Sequence, residues 1–148
     1  MSFVGSIALV RPKIGSGENL WLGRWNEFTE CYALPCVRKP EHLGYRESLD
    51  DSLSEELPLV RGKDYIVSSV PRLHFQSPLE LPGECLASWV VVQFFVVELF
   101  GSEAKSKLDA DRQHRWLSQS DILESADQAE VPFDARIRTI VLQSGIFS

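Results

Sequence analysis

The stretch from Arg46 to Leu59, RESLDDSLSEELPL, places Glu47, Asp50, Asp51, Glu55 and Glu56 within fourteen residues. Leu49, Leu53 and Leu57 recur at i, i+4 and i+8, a narrow apolar stripe that predicts a helix starting near Arg46 with its acidic side turned away from the core. Pro58 has no N–H for another helical hydrogen bond and biases Leu57 out of the α region, so the helix is expected to end there. Two readings of the acids stand side by side. A charged run on a helix face is commonly a solvated surface. Carboxylates one turn apart can also converge on a cation.

Outward from this helix, the chain has 148 residues, 44% of them hydrophobic and 24% charged, which suits a single domain spanning 1–148 with a real core. Its formal charge of -6 disfavours attraction to a nucleic acid polymer or an anionic membrane. MSFVGSIALVRP lacks the basic start and long apolar core of a secretion signal, and SWVVVQFFVVELF is too short and too interrupted to span a bilayer. The expectation is a soluble, cytoplasmic protein. Cys31, Cys36 and Cys85 are odd in number and lack CxxC spacing, so they read as buried free thiols.

FVGSIALV reads as a first strand, and the Gly and Ser of KIGSGENL as a turn into LWLGRW, which suggests a hairpin. DYIVSSVPRLHF is a strand candidate in which Pro71 signals an edge or a bulge. SWVVVQFFVVEL, with near-continuous Val and Phe, reads as a strand buried on both faces. HRWLSQSDIL reads as a short strand turning into a helix. Phe133, Ile137, Ile140 and Val141 have helical spacing, with Asp134 at the positive end and Gly145 placed to stop the helix.

This order of elements, with YALPCV before the acidic helix, resembles the Nudix superfamily over nearly the whole chain. That family's signature is G-x5-E-x7-R-E-U-x-E-E-x-G-U, with U a bulky aliphatic, and it holds divalent metal against a diphosphate. Anchoring its E-E pair on Glu55 and Glu56 puts Leu53 and Leu59 on the two aliphatic positions, and Pro35 on the proline that usually precedes a double glycine, across a box at residues 37–59. The chemical positions depart from the pattern. Cys36 and Val37 replace the double glycine, Leu43 the first glutamate, Asp51 the arginine, Ser52 the next glutamate, and Pro58 the last glycine.

The resemblance implies an α/β/α sandwich with a mixed central sheet, and Asp51, Ser52, Glu55 and Glu56 as the candidate metal set, with Glu55 and Glu56 as the candidate catalytic pair. A neutral Ser52 removes one formal negative charge, so Mg2+ or Mn2+ is expected to bind weakly or not at all. Asp51, one turn before Glu55, offers partial compensation while inverting the charge the family places there. Two functions follow: a nucleotide- or diphosphate-binding or regulatory module with weak or lost hydrolysis, and, as the rival, an active Mg2+- or Mn2+-dependent hydrolase with a rearranged site. A protein-interaction domain with no small ligand is the third. Homodimerisation is compatible with all of them.

Arg24 and Arg38, near the altered loop, are candidates for contact with phosphate oxygens. Trp21, Trp25, Tyr32 and Trp116 are candidates to stack on a base, although core positions suit them as well. His42, His74 and His114 are widely separated and read as surface or structural histidines, His42 drawing interest by its place before the helix. Asp109 and Asp111 lie where the family often places a further glutamate, but they read as polar loop residues.

Overall fold

The acidic segment forms α1 (Tyr45–Glu56), and its apolar stripe decides how it docks. Leu49, Leu53 and Leu57 bury against Ala8, Val10, Phe95 and Val97. Among the described residues no side chain caps its N-terminus; instead the Arg46 guanidinium donates to the carbonyls of Val67 and Ser68 at 2.9 and 3.0 Å, tying the first turn to the sheet. Leu57 is extended (φ -100, ψ 146), as the following proline demands, and its N–H closes the last turn on Leu53 O.

We describe residues 2–12, 19–100, 103–124, 127–128 and 130–148 from a computed structural model. β1 (Ser2–Arg11) and β7 (Ser88–Leu99) run parallel, with Ile7 opposite Phe94. β4 (Cys36–Arg38) adds antiparallel to the free side of β1, and β5 (Tyr65–Val67) and β6 (Leu73–Leu79) both add antiparallel to β7, giving a mixed five-stranded sheet. β5 and β6 come from DYIVSSVPRLHF, divided at Pro71. The chain spends Ser68 to Arg72 between hydrogen bonds to Val96 O and Phe94 O, so the strand bulges where proline cannot donate.

The expected hairpin between the first two strands does not form. β2 (Leu20–Asn26) pairs with β3 (Cys31–Ala33) and β8 (His114–Ser118) in a separate antiparallel sheet, because both edges of β1 are taken by β4 and β7. The turn read in KIGSGENL falls largely on residues 13–18, outside those described.

Alternation along β1 and β7 builds a core on each side of the sheet. Ile7, Leu9, Val90, Val92 and Phe94 face one cluster, closed by Ile122 of α3 (Gln119–Leu123) and by Ile137, Ile140 and Val141 of α4 (Ala135–Ser144). Ala8, Val10, Phe95, Val97 and Leu99 face the other, closed by α1 and by Ala104 and Leu108 of α2 (Ala104–Asp109). Helices therefore cover both faces, an α/β/α sandwich with a mixed sheet. No helix of the described residues is long and apolar enough to cross a membrane.

Local signals set the ends of the later helices. Ser118 and Asp121 form a reciprocal capping box for α3, Asp134 Oδ1 accepts the N–H groups of Arg136 and Ile137 at 2.9 and 3.0 Å, and Gly145 ends α4 at φ 68. The cysteine reading needs correction: Cys36 and Cys85 are exposed and Cys31 is half-buried, all three as free thiols. Cys36 lies on a three-residue edge strand and Cys85 in a turn, so neither has a core to enter.

Asp64 ties the segment after α1 to α2. Its carboxylate accepts the Val60 N–H at 2.7 Å and Lys107 Nζ at 2.8 Å. The Lys107 hydrogen bond first, then that of Val60, holds its pKa below the ordinary value. A depressed carboxylate contributes stability that is present above its unfolded value of about 3.9 and fades as pH falls through the folded value. Asp64→Asn is thus expected to lose stability at neutral pH, with the gap from wild type closing in acid. Urea titrations across that range check this, and a gap undiminished at low pH would contradict it.

Candidate functional site

The C-terminal end of α1 faces β2 across a cavity of about 430 Å³. Arg24, Trp25 and Asn26 of β2 form one wall, Pro35 and Cys36 another, and Glu56 a third. Arg24 Nη1 donates to Glu56 Oε2 at 2.8 Å, so the acid at the cavity wall already has a cation on it. A second cavity of about 250 Å³ adjoins through the shared residues Asn26, Ala33 and Cys36, and is lined by Phe3, Arg38, Asp134, Arg136 and Ile137 among others. The Arg38 guanidinium lies 5.0 Å from the centre of the Phe3 ring and donates to Ser2 O at 3.2 Å. Arg24 and Arg38 thus stand over neighbouring cavities.

The backbone at the altered glycine positions is a paired strand. Val37 lies opposite Ser6 in the β1–β4 ladder, an extended setting that suits a β-branched residue. Close approach is provided from the other strand: a Cβ on Gly5 would come within 2.3 Å of Val37 O. Although Cys36 is exposed as a residue, it lines both cavities, and its thiol is pushed up to about 11, by desolvation there first and then by the Asp134 and Glu56 carboxylates, with Arg38 opposing. At neutral pH it stays a protonated, weakly nucleophilic thiol.

The candidate metal set is not drawn together. Asp51 accepts Arg61 Nη2 at 2.9 Å, and Asp50 lies 3.2 Å from Arg61 Nε, so a guanidinium from beyond the helix takes this pair. Glu56 turns to Arg24, Glu55 is exposed, and Ser52 is half-buried. Among the described residues, no group of three or more His, Cys, Asp and Glu side chains is placed to hold a metal ion. A divalent site of the family's kind needs several anionic oxygens at once, and here Asp51 and Glu56 of α1 pair with separate arginines. The residues present do not fit the ion.

Trp25 lines the larger cavity and meets Tyr32 edge-on at 5.0 Å, while Trp21 stacks on Phe147 beside a different cavity and Trp116 donates to Asp109. Asp109 also holds Lys105, and Asp111 accepts the Gln113 N–H, so both are local ties. His42 is exposed; His74 lies edge-on to Tyr45 and within hydrogen-bond distance of Gln76 and Gln93. Sequence reasoning missed one residue here and the place of another. Phe28, almost fully exposed on the cavity rim, sits in the β2–β3 turn, and His114 sits directly across the strand from Arg24. The turn residues NEFTE were a local hint of the first. Nothing local marks the second, because the pairing spans 90 positions of chain.

No family model matches the sequence, and a comparison with curated protein sequences finds no match either. Solved structures do match. A C. elegans Ap4A hydrolase superposes with a TM-score of 0.60 at 12% identity, covering 99% of this chain and 98% of that one. A mutT/nudix family protein from Listeria innocua gives 0.61 at 16% identity, covering 99% and 94%. A bifunctional NMN adenylyltransferase/ADP ribose pyrophosphatase from Francisella tularensis gives 0.50 at 17%, over 97% of this chain and 41% of its own. At such identities the likeness speaks for the fold alone.

Proposed function

This chain has the fold of the Nudix superfamily, and from that premise we propose that it is a module that binds a nucleotide or another diphosphate-containing molecule, with hydrolysis weak or lost. The observation that carries this reading is the Arg24–Glu56 ion pair in the cavity wall. A guanidinium at 2.8 Å occupies one of the carboxylate oxygens that a divalent ion would need. The same guanidinium offers further N–H donors to an anionic ligand. Trp25 supplies an aromatic surface beside it, suited to a ring such as a nucleobase. Nucleotide substrates named for two structural neighbours, Ap4A and ADP-ribose, support the same ligand class.

The rival reading has Asp51, Glu55 and Glu56 gathering Mg2+ or Mn2+ for hydrolysis, which requires both arginine pairs to open. A panel of nucleoside diphosphate derivatives, screened by thermal unfolding, tests ligand binding. A ligand present at one hundred times its Kd stabilises by about 2.7 kcal/mol, which for a chain of this size raises Tm by roughly 5–10 °C. We expect such a shift in the presence of EDTA. A panel without any shift would overturn the binding reading.

A further inference from the structure

Two polar atoms beside the larger cavity are buried without a partner among the described residues: Arg24 Nε and His114 Nε2. Their residues are cross-strand partners in β2 and β8, so both side chains leave the same face of the sheet, with Cβ atoms about 5 Å apart. The His114 side chain is 2% exposed. Its Nδ1 lies 3.3 Å from Leu108 O, and because a carbonyl oxygen only accepts, Nδ1 carries the proton and Nε2 presents a lone pair. Desolvation lowers the imidazole pKa, with Asp111 and the Leu108 hydrogen bond opposing and Arg24 assisting, so the ring is neutral at pH 7.

A buried donor and a buried acceptor therefore stand on adjacent residues, each unmet among the described residues. Leaving such groups unmet carries their full desolvation penalty. A single water that takes the proton of one and donates to the other removes both costs. We infer that one internal water joins Arg24 Nε–H to His114 Nε2, and that His114 is thereby the positioning residue for the cationic group of the cavity.

The guanidinium is planar, so ties at Nε and at Nη1, the latter to Glu56, fix its plane. The Nη2 edge is then held in one orientation before any ligand arrives, which lowers the ordering cost of meeting phosphate oxygens. This consequence for binding rests on the diphosphate reading above; the tie between His114 and Arg24 does not.

The test uses the full chain in EDTA with inorganic diphosphate as probe, and compares wild type with His114→Gln, which keeps an acceptor at the ε position, and His114→Leu, which removes it. Nitrogen-15 NMR reads the imidazole tautomer and the solvent exchange of Arg24 Nε–H. We expect the Nδ1–H tautomer in wild type, and a protected Arg24 Nε–H in wild type and His114→Gln but not in His114→Leu. Diphosphate affinity should fall about tenfold in His114→Leu alone. An Nε2–H tautomer overturns the inference from wild-type protein alone, whether or not the variants fold. Equal Arg24 Nε–H exchange in the two variants also overturns it. Protection that follows the pattern above, in a wild type that binds no diphosphate, supports the tie and sinks the phosphate reading instead.

Discussion

Arg24→Ala is expected to weaken binding of inorganic diphosphate by roughly 30–150-fold, about 2–3 kcal/mol for the loss of charge-assisted hydrogen bonds. Losing the ion pair itself should cost the fold little. Glu56, the partner of Arg24, is 52% exposed at the side chain, and ion pairs with one solvated member typically contribute about 0–1 kcal/mol. Binding and stability are thus separable at this residue. Removing the guanidinium also frees Glu56 beside Glu55, so the variant should bind Mn2+ more tightly than wild type does. Calorimetric titrations of both proteins with diphosphate in EDTA, then with Mn2+, check the pair of effects. Unchanged diphosphate affinity would remove Arg24 from the site.

Phe94→Ala is expected to cost about 3–5 kcal/mol, the largest stability loss we anticipate from one side chain. Phe94 is fully buried in β7, opposite Ile7 of β1 on one side and Leu73 of β6 on the other. A hole there is lined by three strands of one sheet, which cannot collapse without breaking register. Urea unfolding should show a lower midpoint with an unchanged slope. Phe28→Ala, at an almost fully exposed position, is the control and should leave the midpoint in place. A loss below about 1 kcal/mol for Phe94→Ala would contradict the core described here.

What the sequence made legible were features written locally. The stripe of Leu49, Leu53 and Leu57 and the stop at Pro58 bound α1 because periodicity and a missing N–H act within a few residues. Asp134 and Gly145 did the same for α4, and the run of Val and Phe in β7 signalled burial on both faces. The rest depends on who lies next to whom. β2 left the neighbourhood of β1 because β4 and β7 already occupied its two edges, which no turn signal between the strands could reveal. α2 hid in a charged segment because two residues, Ala104 and Leu108, were enough to anchor it.

The site divides along the same line. Glu55 and Glu56 were visible as acids on a helix, but their chemistry is set by partners far along the chain. Arg24 is 32 positions from Glu56, and Arg61 reaches back ten to Asp51. Which carboxylate meets a guanidinium and which meets solvent is a property of packing, so spacing alone left both a metal cluster and a solvated face open.

Phosphorus-31 NMR of ADP-ribose mixed with the protein separates binding from hydrolysis in one spectrum. The diphosphate resonances should shift or broaden on adding protein, equally in Mg2+ and in EDTA, and no monophosphate signals should grow in. Growth of monophosphate signals in Mg2+, halted by EDTA and by Glu55→Gln, would contradict a binding module with hydrolysis weak or lost.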